Sequence, residues 1–224
     1  MHLLLLSATE IEISDTASWL NNHTPGLNAL KPKLLIGGIG QLQTAYALQN
    51  RIRLEKPGLI IQAGIAGASA EVDIGTVYAI GSEQMADLGV MEKKGFTNIF
   101  DMGLENRDRF PFRDGKLDNP YRSLLEWTGL PVLGGITVNE IKSSDFAGFQ
   151  RNPLRVVESM EGAALHYVCL MEKVPFLQIR SISNITGERD KSRWKFKEAL
   201  KNLHEELVVM IQKLEKTDET LFRI

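Results

Sequence analysis

Short apolar runs alternate along the chain with longer segments in which apolar residues recur every three or four positions. A short run bounded by turn-forming residues predicts a β-strand. The run at 58–62 is apolar up to its last residue, Gln62, as in strands buried on both faces of a parallel sheet. The predicted strands are residues 2–7, 33–36, 58–62, 77–80, 132–138, 156–157 and 175–181.

Three segments have the periodicity of amphipathic helices. The first covers residues 41–56, and Pro57-Gly58 ends it. The second runs from Met160 to Met171, and the third from Phe196 to Leu214, with Lys and Glu on its other face. Such stripes usually form core contacts, and we interpret them in that way.

Alternating strands and helices with short connections predict an α/β fold, a three-layer α/β/α sandwich. No Pro/Gly/Ser-rich linker or internal repeat divides the chain, so residues 1–224 are predicted to form one domain. The stretch 93–120 is polar and turn-rich, and predicts a long surface loop of the kind that often has a function. Ligands of such sheets bind beyond the carboxyl ends of the strands, where we expect functional residues.

The composition of the chain argues against several classes of protein. Among 224 residues, 43% are hydrophobic and 24% charged, as in soluble globular proteins. The net charge of −2 and the spread of Lys and Arg give no surface for nucleic acid. The first apolar run, Leu3 to Leu6, is too short for a secretory signal or a membrane span. The single Cys169 agrees with a reducing cytoplasm. No metal-ligand spacing is present, so we expect no metal.

Two glycine-rich segments follow predicted strands. In GGIG (37–40) the third glycine of a dinucleotide-binding turn would fall at Gln43, and no Walker motif follows. The second, AGIAG (63–67), comes straight after the most apolar strand. Small residues there let a ligand approach the backbone, or only let the chain turn. Taken alone, this segment is better explained as a chain turn than as a ligand-binding loop.

Five segments together resemble the nucleoside phosphorylase and nucleosidase superfamily: SATEIEI (7–13), GGIG (37–40), AGIAGA (63–68), VESMEGAALHYVC (157–169) and PFLQIRSISN (175–184). Within it, TVNEI (137–141) and NITGERDKSRW (184–194) are most similar to the futalosine hydrolases. The resemblance implies a central mixed, largely parallel sheet and cleavage of a purine nucleoside at its N-glycosidic bond. It also implies a small-molecule nucleoside as partner, no cofactor and assembly into a homo-oligomer.

The resemblance implies roles for two acidic residues. Glu161 matches the glutamate that accepts hydrogen bonds from the ribose hydroxyls and stabilises the oxocarbenium-like sugar, and Met160 matches the methionine against the ribose face. Glu12 matches the glutamate that positions and deprotonates the attacking water. The alternatives are a solvated glutamate at a helix start for Glu161 and a surface acid in a first loop for Glu12. Glu10 and Glu12 would repel a phosphate dianion, which favours hydrolysis over phosphorolysis.

Asn184 is the most discriminating position. Nucleosidases that act on adenine compounds have Asp there, which can give a proton to the purine. An amide donates hydrogen bonds but no proton, and suits the acceptors of a 6-oxopurine such as the hypoxanthine of futalosine. A turn asparagine after a strand is the structural alternative.

Further residues are assigned to the substrate pocket: Ile65, Gly67, Thr137, Asn139 and Ser183. Two interpretations stay open for Arg180, which orders Glu12 or forms an ion pair at a sheet end. Two also stay open for Arg189, which pairs with the benzoate carboxylate of futalosine or is a solvated charge.

The leading hypothesis is hydrolysis of futalosine to hypoxanthine and dehypoxanthine futalosine, a step of menaquinone biosynthesis. One alternative is an adenine-releasing nucleosidase acting on methylthioadenosine, S-adenosylhomocysteine or aminofutalosine. Another is a catalytically silent nucleoside-binding protein, against which Glu12 and Glu161 argue because binding alone needs no water-activating carboxylate.

Overall fold

A computed structural model describes residues 2–23, 30–93, 95–143 and 155–217. Its elements, in chain order, are β1 (Leu3–Ser7), α1 (Glu10–His23), β2 (Lys33–Ile36), α2 (Gln41–Glu55), β3 (Leu59–Ala68), β4 (Val77–Met85), β5 (Gly89–Glu92), β6 (Gly95–Asn98), β7 (Leu117–Asp118), α3 (Arg122–Thr128), β8 (Val132–Thr137), β9 (Val156–Ser159), α4 (Gly162–Glu172), β10 (Phe176–Ile185) and α5 (Phe196–Leu214). All seven predicted strands and all three predicted helices are present.

The main sheet is mixed and largely parallel, as expected. Strands β2, β1, β3 and β10 lie side by side in parallel, β10 meets β4 antiparallel, and β4, β8 and β9 are again parallel. The end of β3 also pairs antiparallel with β9. Strands from both halves of the chain lie in this sheet, and on that observation we propose that the described residues form one domain.

Helices cover the sheet on both sides and confirm the three-layer sandwich. On one side α1 packs on α5, which contacts β3 and β10; in the other layer α2 packs on α4, which contacts β4 and β8. Strand β1 is buried along its whole length because both its faces are covered. The stripe of α5 is buried at Ala199, Leu203, Leu207 and Ile211. Each fully buried leucine contributes roughly 1.5–3 kcal/mol to folding.

The structure corrects the sequence prediction in two places. The segment 63–67 is not a turn but the second half of β3, where its backbone pairs with β10. The chain after β1 is not a loop but α1, whose buried face is Ile13, Thr16 and Leu20. Because the polar Thr16 lies in the middle of this buried face, the sequence of α1 shows no continuous apolar stripe. Of the predicted loop 93–120, the described residues 95–120 hold two short strands, β6 and β7, in otherwise irregular chain.

Among the residues described, no helix combines the length and the apolar character needed to cross a lipid bilayer.

Candidate active site

A cavity of about 360 Å³ opens at the carboxyl ends of β1, β3 and β10, a size typical of small-molecule sites. This is the edge at which the sheet class binds ligands. Its lining comes from segments far apart in the chain: Ala8, Thr9, Ile11, Glu12, Ile39, Ile65, Ala66, Gly67, Val138, Ile141, Glu158, Ser159, Met160, Glu161, Ser183, Asn184, Gly187, Glu188, Trp194 and Phe196.

Glu12 is fixed by hydrogen bonds in the first turn of α1. Its Oε2 accepts from the backbone N–H of Thr9 at 3.2 Å and from the Thr9 hydroxyl at 3.0 Å. A glutamate three residues after a threonine is the arrangement of a capping box, so the same contact that starts the helix also orients the carboxylate. The other oxygen, Oε1, accepts from the N–H of Ile65 at 3.1 Å. Glu10 is exposed and does not line the cavity, as the angle between helical positions i and i+2 requires.

Gly64 makes room for two charged groups beneath the cavity. A Cβ at this position would lie 2.5 Å from Nη1 of Arg180 and 2.7 Å from Oε1 of Glu12. Both distances are shorter than van der Waals contact, so any side chain here would displace Glu12, Arg180 or both.

Glu161 stands at the N-terminus of α4 and is almost fully buried. Its Oε1 accepts from the N–H of Gly40 at 3.0 Å, and its Oε2 lies 3.6 Å from Nη2 of Arg180. Arg180 also donates to Oε1 of Gln62 at 3.0 Å. The structure therefore places Arg180 below the cavity as a buried ion-pair partner of Glu161. Removal of either partner would leave an uncompensated buried charge.

Asn184 lies near the end of β10, where pairing with β3 is irregular. Ile182 pairs with Ala66 and Asn184 with Gly67, so Ser183 is the extra residue of a β-bulge. Bulges redirect side chains next to active sites. The Ser183 hydroxyl is 2.7 Å from Oδ1 of Asn184, and Nδ2 of Asn184 is 3.1 Å from the carbonyl of Ile185. Both residues line the cavity, as does Met160.

Besides Arg180, three residues assigned to the pocket lie outside its lining. Thr137 is fully buried, and its hydroxyl donates to Glu83 at 2.9 Å and accepts from the N–H of Ala163 at 2.8 Å. Asn139 is exposed and bound to Asp87 through its backbone and its side chain. Arg189 is exposed, and the cavity is lined by its neighbour Glu188 instead. Thr137 and Asn139 therefore lie outside the lining, although Val138 between them and Ile141 after them line the cavity.

A buried polar network supports the start of α4. Burial raises the pKa of Glu83 to about 7, although Gln178 donates to one of its oxygens at 2.7 Å and Thr137 to the other. Burial also lowers the pKa of His166, which faces the carbonyl of Leu117, to about 4. Because Thr137 also accepts from Ala163, this network fixes the first turn of the helix that Glu161 precedes.

Sequence reasoning missed several lining residues. Trp194 belongs to the futalosine-hydrolase-like segment, and Phe196 was interpreted as part of the core stripe of α5. Glu158 stands in the VESMEG motif, and burial together with the charge of Asp87 raises its pKa to about 7. The motif itself was the available signal, since its residues from Glu158 to Glu161 all line the cavity.

Comparisons with curated proteins find futalosine hydrolases among the relatives of this chain. No protein-family model matches the chain. The futalosine hydrolase of Thermus thermophilus is 31% identical over 172 residues, which are 74% of this chain and 75% of that protein. The chain belongs to the futalosine hydrolase family. The futalosine hydrolase of Streptomyces coelicolor is 29% identical over 221 residues, covering 89% of this chain and 91% of that protein.

Solved structures bear out the fold of this futalosine hydrolase homologue. A putative 5'-methylthioadenosine/S-adenosylhomocysteine nucleosidase from Francisella philomiragia has a TM-score of 0.76 at 16% identity, over 95% of this chain and 99% of that one. The futalosine hydrolase of Helicobacter pylori has a TM-score of 0.73 at 13% identity, over 95% and 98%. The predicted family and fold class are both confirmed.

Proposed function

We propose that this protein hydrolyses the N-glycosidic bond of futalosine, releasing hypoxanthine and dehypoxanthine futalosine, as a step of menaquinone biosynthesis. The observation that carries the proposal is one cavity that brings together Glu12, Glu161 and Asn184 from opposite ends of the chain. These two carboxylates and this amide, with no arginine among the described residues of the lining, suit water as the nucleophile and a 6-oxopurine as the leaving group.

In this mechanism Glu12 is the general base. It accepts a proton from water as the water oxygen bonds to the anomeric carbon of ribose and the bond from that carbon to the purine nitrogen breaks. The purine leaves with the electron pair of that bond and takes up a proton from solvent. Asn184 donates a hydrogen bond to the departing base, which stabilises the charge that develops on it.

Glu161 binds the ribose hydroxyls and places negative charge near the cationic sugar of the transition state. In the structure its carboxylate accepts a hydrogen bond from Gly40 and forms an ion pair with Arg180. Arg180 is a positioning residue in this scheme, since it does not itself line the cavity and reaches the substrate only through Glu161.

The mouth of the cavity is apolar and partly exposed, with Ile11 at 64% and Ile39 at 55% relative exposure. Such a surface offers packing for the aromatic ring that futalosine carries beyond its nucleoside part. The pairing of Arg189 with the benzoate carboxylate is not part of the proposal because Arg189 lies outside the lining.

The direct experiment incubates purified protein with futalosine in phosphate-free buffer and follows hypoxanthine by chromatography. Release of hypoxanthine without added phosphate is the expected result. No release at micromolar enzyme would overturn the proposal. Thermal stabilisation by futalosine without turnover would instead favour the silent binding protein. Release of adenine from methylthioadenosine, with futalosine untouched, would favour the adenine-releasing nucleosidase.

We also propose a homo-oligomer, supported by the exposed apolar residues Leu42 and Tyr46 on α2. Light scattering coupled to size-exclusion chromatography measures its mass. The cytoplasmic location stays a prediction.

A further inference from the structure

Glu158 and Asn184 flank the same glycine across three neighbouring strands. Gly67 of β3 pairs with Glu158 of β9 on one side and with Asn184 of β10 on the other. Residues paired across strands direct their side chains to the same face of a sheet. Neighbouring strands lie about 4.8 Å apart, so the backbones of Glu158 and Asn184 are separated by roughly 10 Å. Between them Gly67 carries no side chain, and all three residues line the cavity.

The Glu158 carboxyl differs from the other carboxyls of the cavity in having no hydrogen-bond partner among the residues described. Glu12 accepts from Thr9 and Ile65, and Glu161 from Gly40. Glu188 at the rim accepts from the N–H of Asp190 and from Arg193. A carboxyl that is partly withdrawn from water and has no donor is unfavourable. A ligand that brings an N–H group to Glu158 therefore gains more than it would at the other carboxyls.

The surroundings of Glu158 strengthen this preference for a donor. Asp87 accepts from the backbone N–H groups of Asn139 and Glu140, which holds the chain after β8 against the cavity. From this chain the apolar Val138 and Ile141 line the cavity. Apolar walls weaken screening by water and strengthen any hydrogen bond formed between them.

We propose that Glu158 accepts a hydrogen bond from N1–H of the purine while Asn184 donates to O6, so that the pair selects a 6-oxopurine. In hypoxanthine N1 is a donor and O6 an acceptor, which is the complement of a carboxylate beside an amide N–H. In adenine N1 carries a lone pair and no hydrogen, and position 6 carries a donor. Both contacts would then be mismatched. The inference rests on the proposed function and deepens it, by making Glu158 a second determinant of base specificity.

The first test needs no variant. Hypoxanthine and 1-methylhypoxanthine are compared as ligands of the wild-type protein by calorimetry, since the methyl group removes the N1 hydrogen. Hypoxanthine is expected to bind roughly 10- to 100-fold more tightly, the range for a hydrogen bond to a charged group. Equal affinities would overturn the assignment. This readout is independent of catalysis, so it separates failure of the inference from failure of the proposed function.

The second test compares Glu158→Gln and Glu158→Ala with Glu71→Gln, an exposed glutamate outside the cavity lining. The kcat/KM for futalosine is expected to fall roughly 10- to 100-fold in both Glu158 variants. For aminofutalosine, its 6-amino counterpart, kcat/KM should stay constant or rise. Glu71→Gln should match the wild type on both substrates. An unchanged ratio between the substrates in the isosteric Glu158→Gln variant would contradict the proposal.

Discussion

The hydrogen bonds of Glu12 connect local folding to chemistry at a single residue. The carboxylate orients itself on Thr9, within its own helix turn, and on Ile65 of β3. These hydrogen bonds restrict the Glu12 carboxylate to the position in which it would accept a proton from the attacking water.

We expect Glu12→Gln to lower kcat by about 10²- to 10⁴-fold, the usual effect of losing a general base, with ligand binding retained. Steady-state kinetics on futalosine and calorimetry with hypoxanthine measure the two effects. The matched control is Glu10→Gln, in the same helix turn but exposed and outside the cavity lining. If Glu10→Gln lowered kcat as much as Glu12→Gln, the role of Glu12 would be refuted.

Asn184→Asp is expected to shift preference toward 6-amino substrates, because a carboxylic acid can donate to the purine ring nitrogen and accept from a 6-amino group. The measurement is the ratio of kcat/KM for aminofutalosine and futalosine in the variant, divided by the same ratio in the wild type. A quotient near one would count against the account of Asn184.

The roles of individual residues could be predicted only within segments that resemble a known family. Glu12, Glu161 and Asn184 were each assigned from a segment with family resemblance, and the structure brings all three to one cavity. Thr137 and Asn139 were assigned from their place after a strand, which does not determine where a side chain points. The nearness of Glu158 to Asn184 follows from the pairing of β9 with β3, which the sequence alone does not reveal.

At the scale of elements, β3 has two roles at the cavity. Its residues 65–67 line the cavity, and its Gly64 leaves space for the side chains of Glu12 and Arg180. Gly64→Ala is expected to reduce kcat/KM strongly with little loss of fold, because its Cβ would meet both Glu12 and Arg180. The comparison variant is Gly134→Ala in β8, where a Cβ would meet only the Ser82 hydroxyl at 3.6 Å, an ordinary contact. Kinetics and thermal unfolding distinguish the two. Equal activity in both variants would show that the space at Gly64 is not required.

The limits of sequence prediction at this scale have a common physical cause. Apolar runs predicted the starts of β3 and β10, but both strands continue to Ala68 and Ile185 through small and polar residues. Their extension depends on pairing with each other and with β9, residues remote in the chain. Helix α3 escaped notice because its seven residues are too few to show a period.

The buried carboxyl of Glu83 makes the stability of the whole molecule depend on pH. Its pKa rises from 4.5 to about 7 on folding. Between these values the unfolded chain has lost the proton while the folded protein keeps it, so the free energy of unfolding falls as pH rises through this window. His166, with its pKa lowered from 6.5 to about 4, acts in the opposite direction below 6.5.

Glu83→Gln removes the contribution of the carboxyl and leaves that of His166. Relative to the wild type, the free energy of unfolding of the variant should increase from about pH 5 to pH 8, by on the order of 3 kcal/mol at most. Denaturant titrations at several pH values measure the difference. Any constant effect of the substitution cancels in this comparison. Parallel curves for the two proteins would show that Glu83 does not titrate as described.

Across the whole molecule, one mixed sheet gathers two carboxylates and an amide at one edge, to which we assign water activation, sugar binding and base recognition. The central claim is that this site hydrolyses a 6-oxopurine nucleoside. The most direct measurement is the wild-type ratio of kcat/KM for futalosine to that for aminofutalosine in phosphate-free buffer. A ratio of at least about 100 is predicted, since a site built on hydrogen bonds rejects mismatched groups strongly. A ratio of one or below would contradict the account.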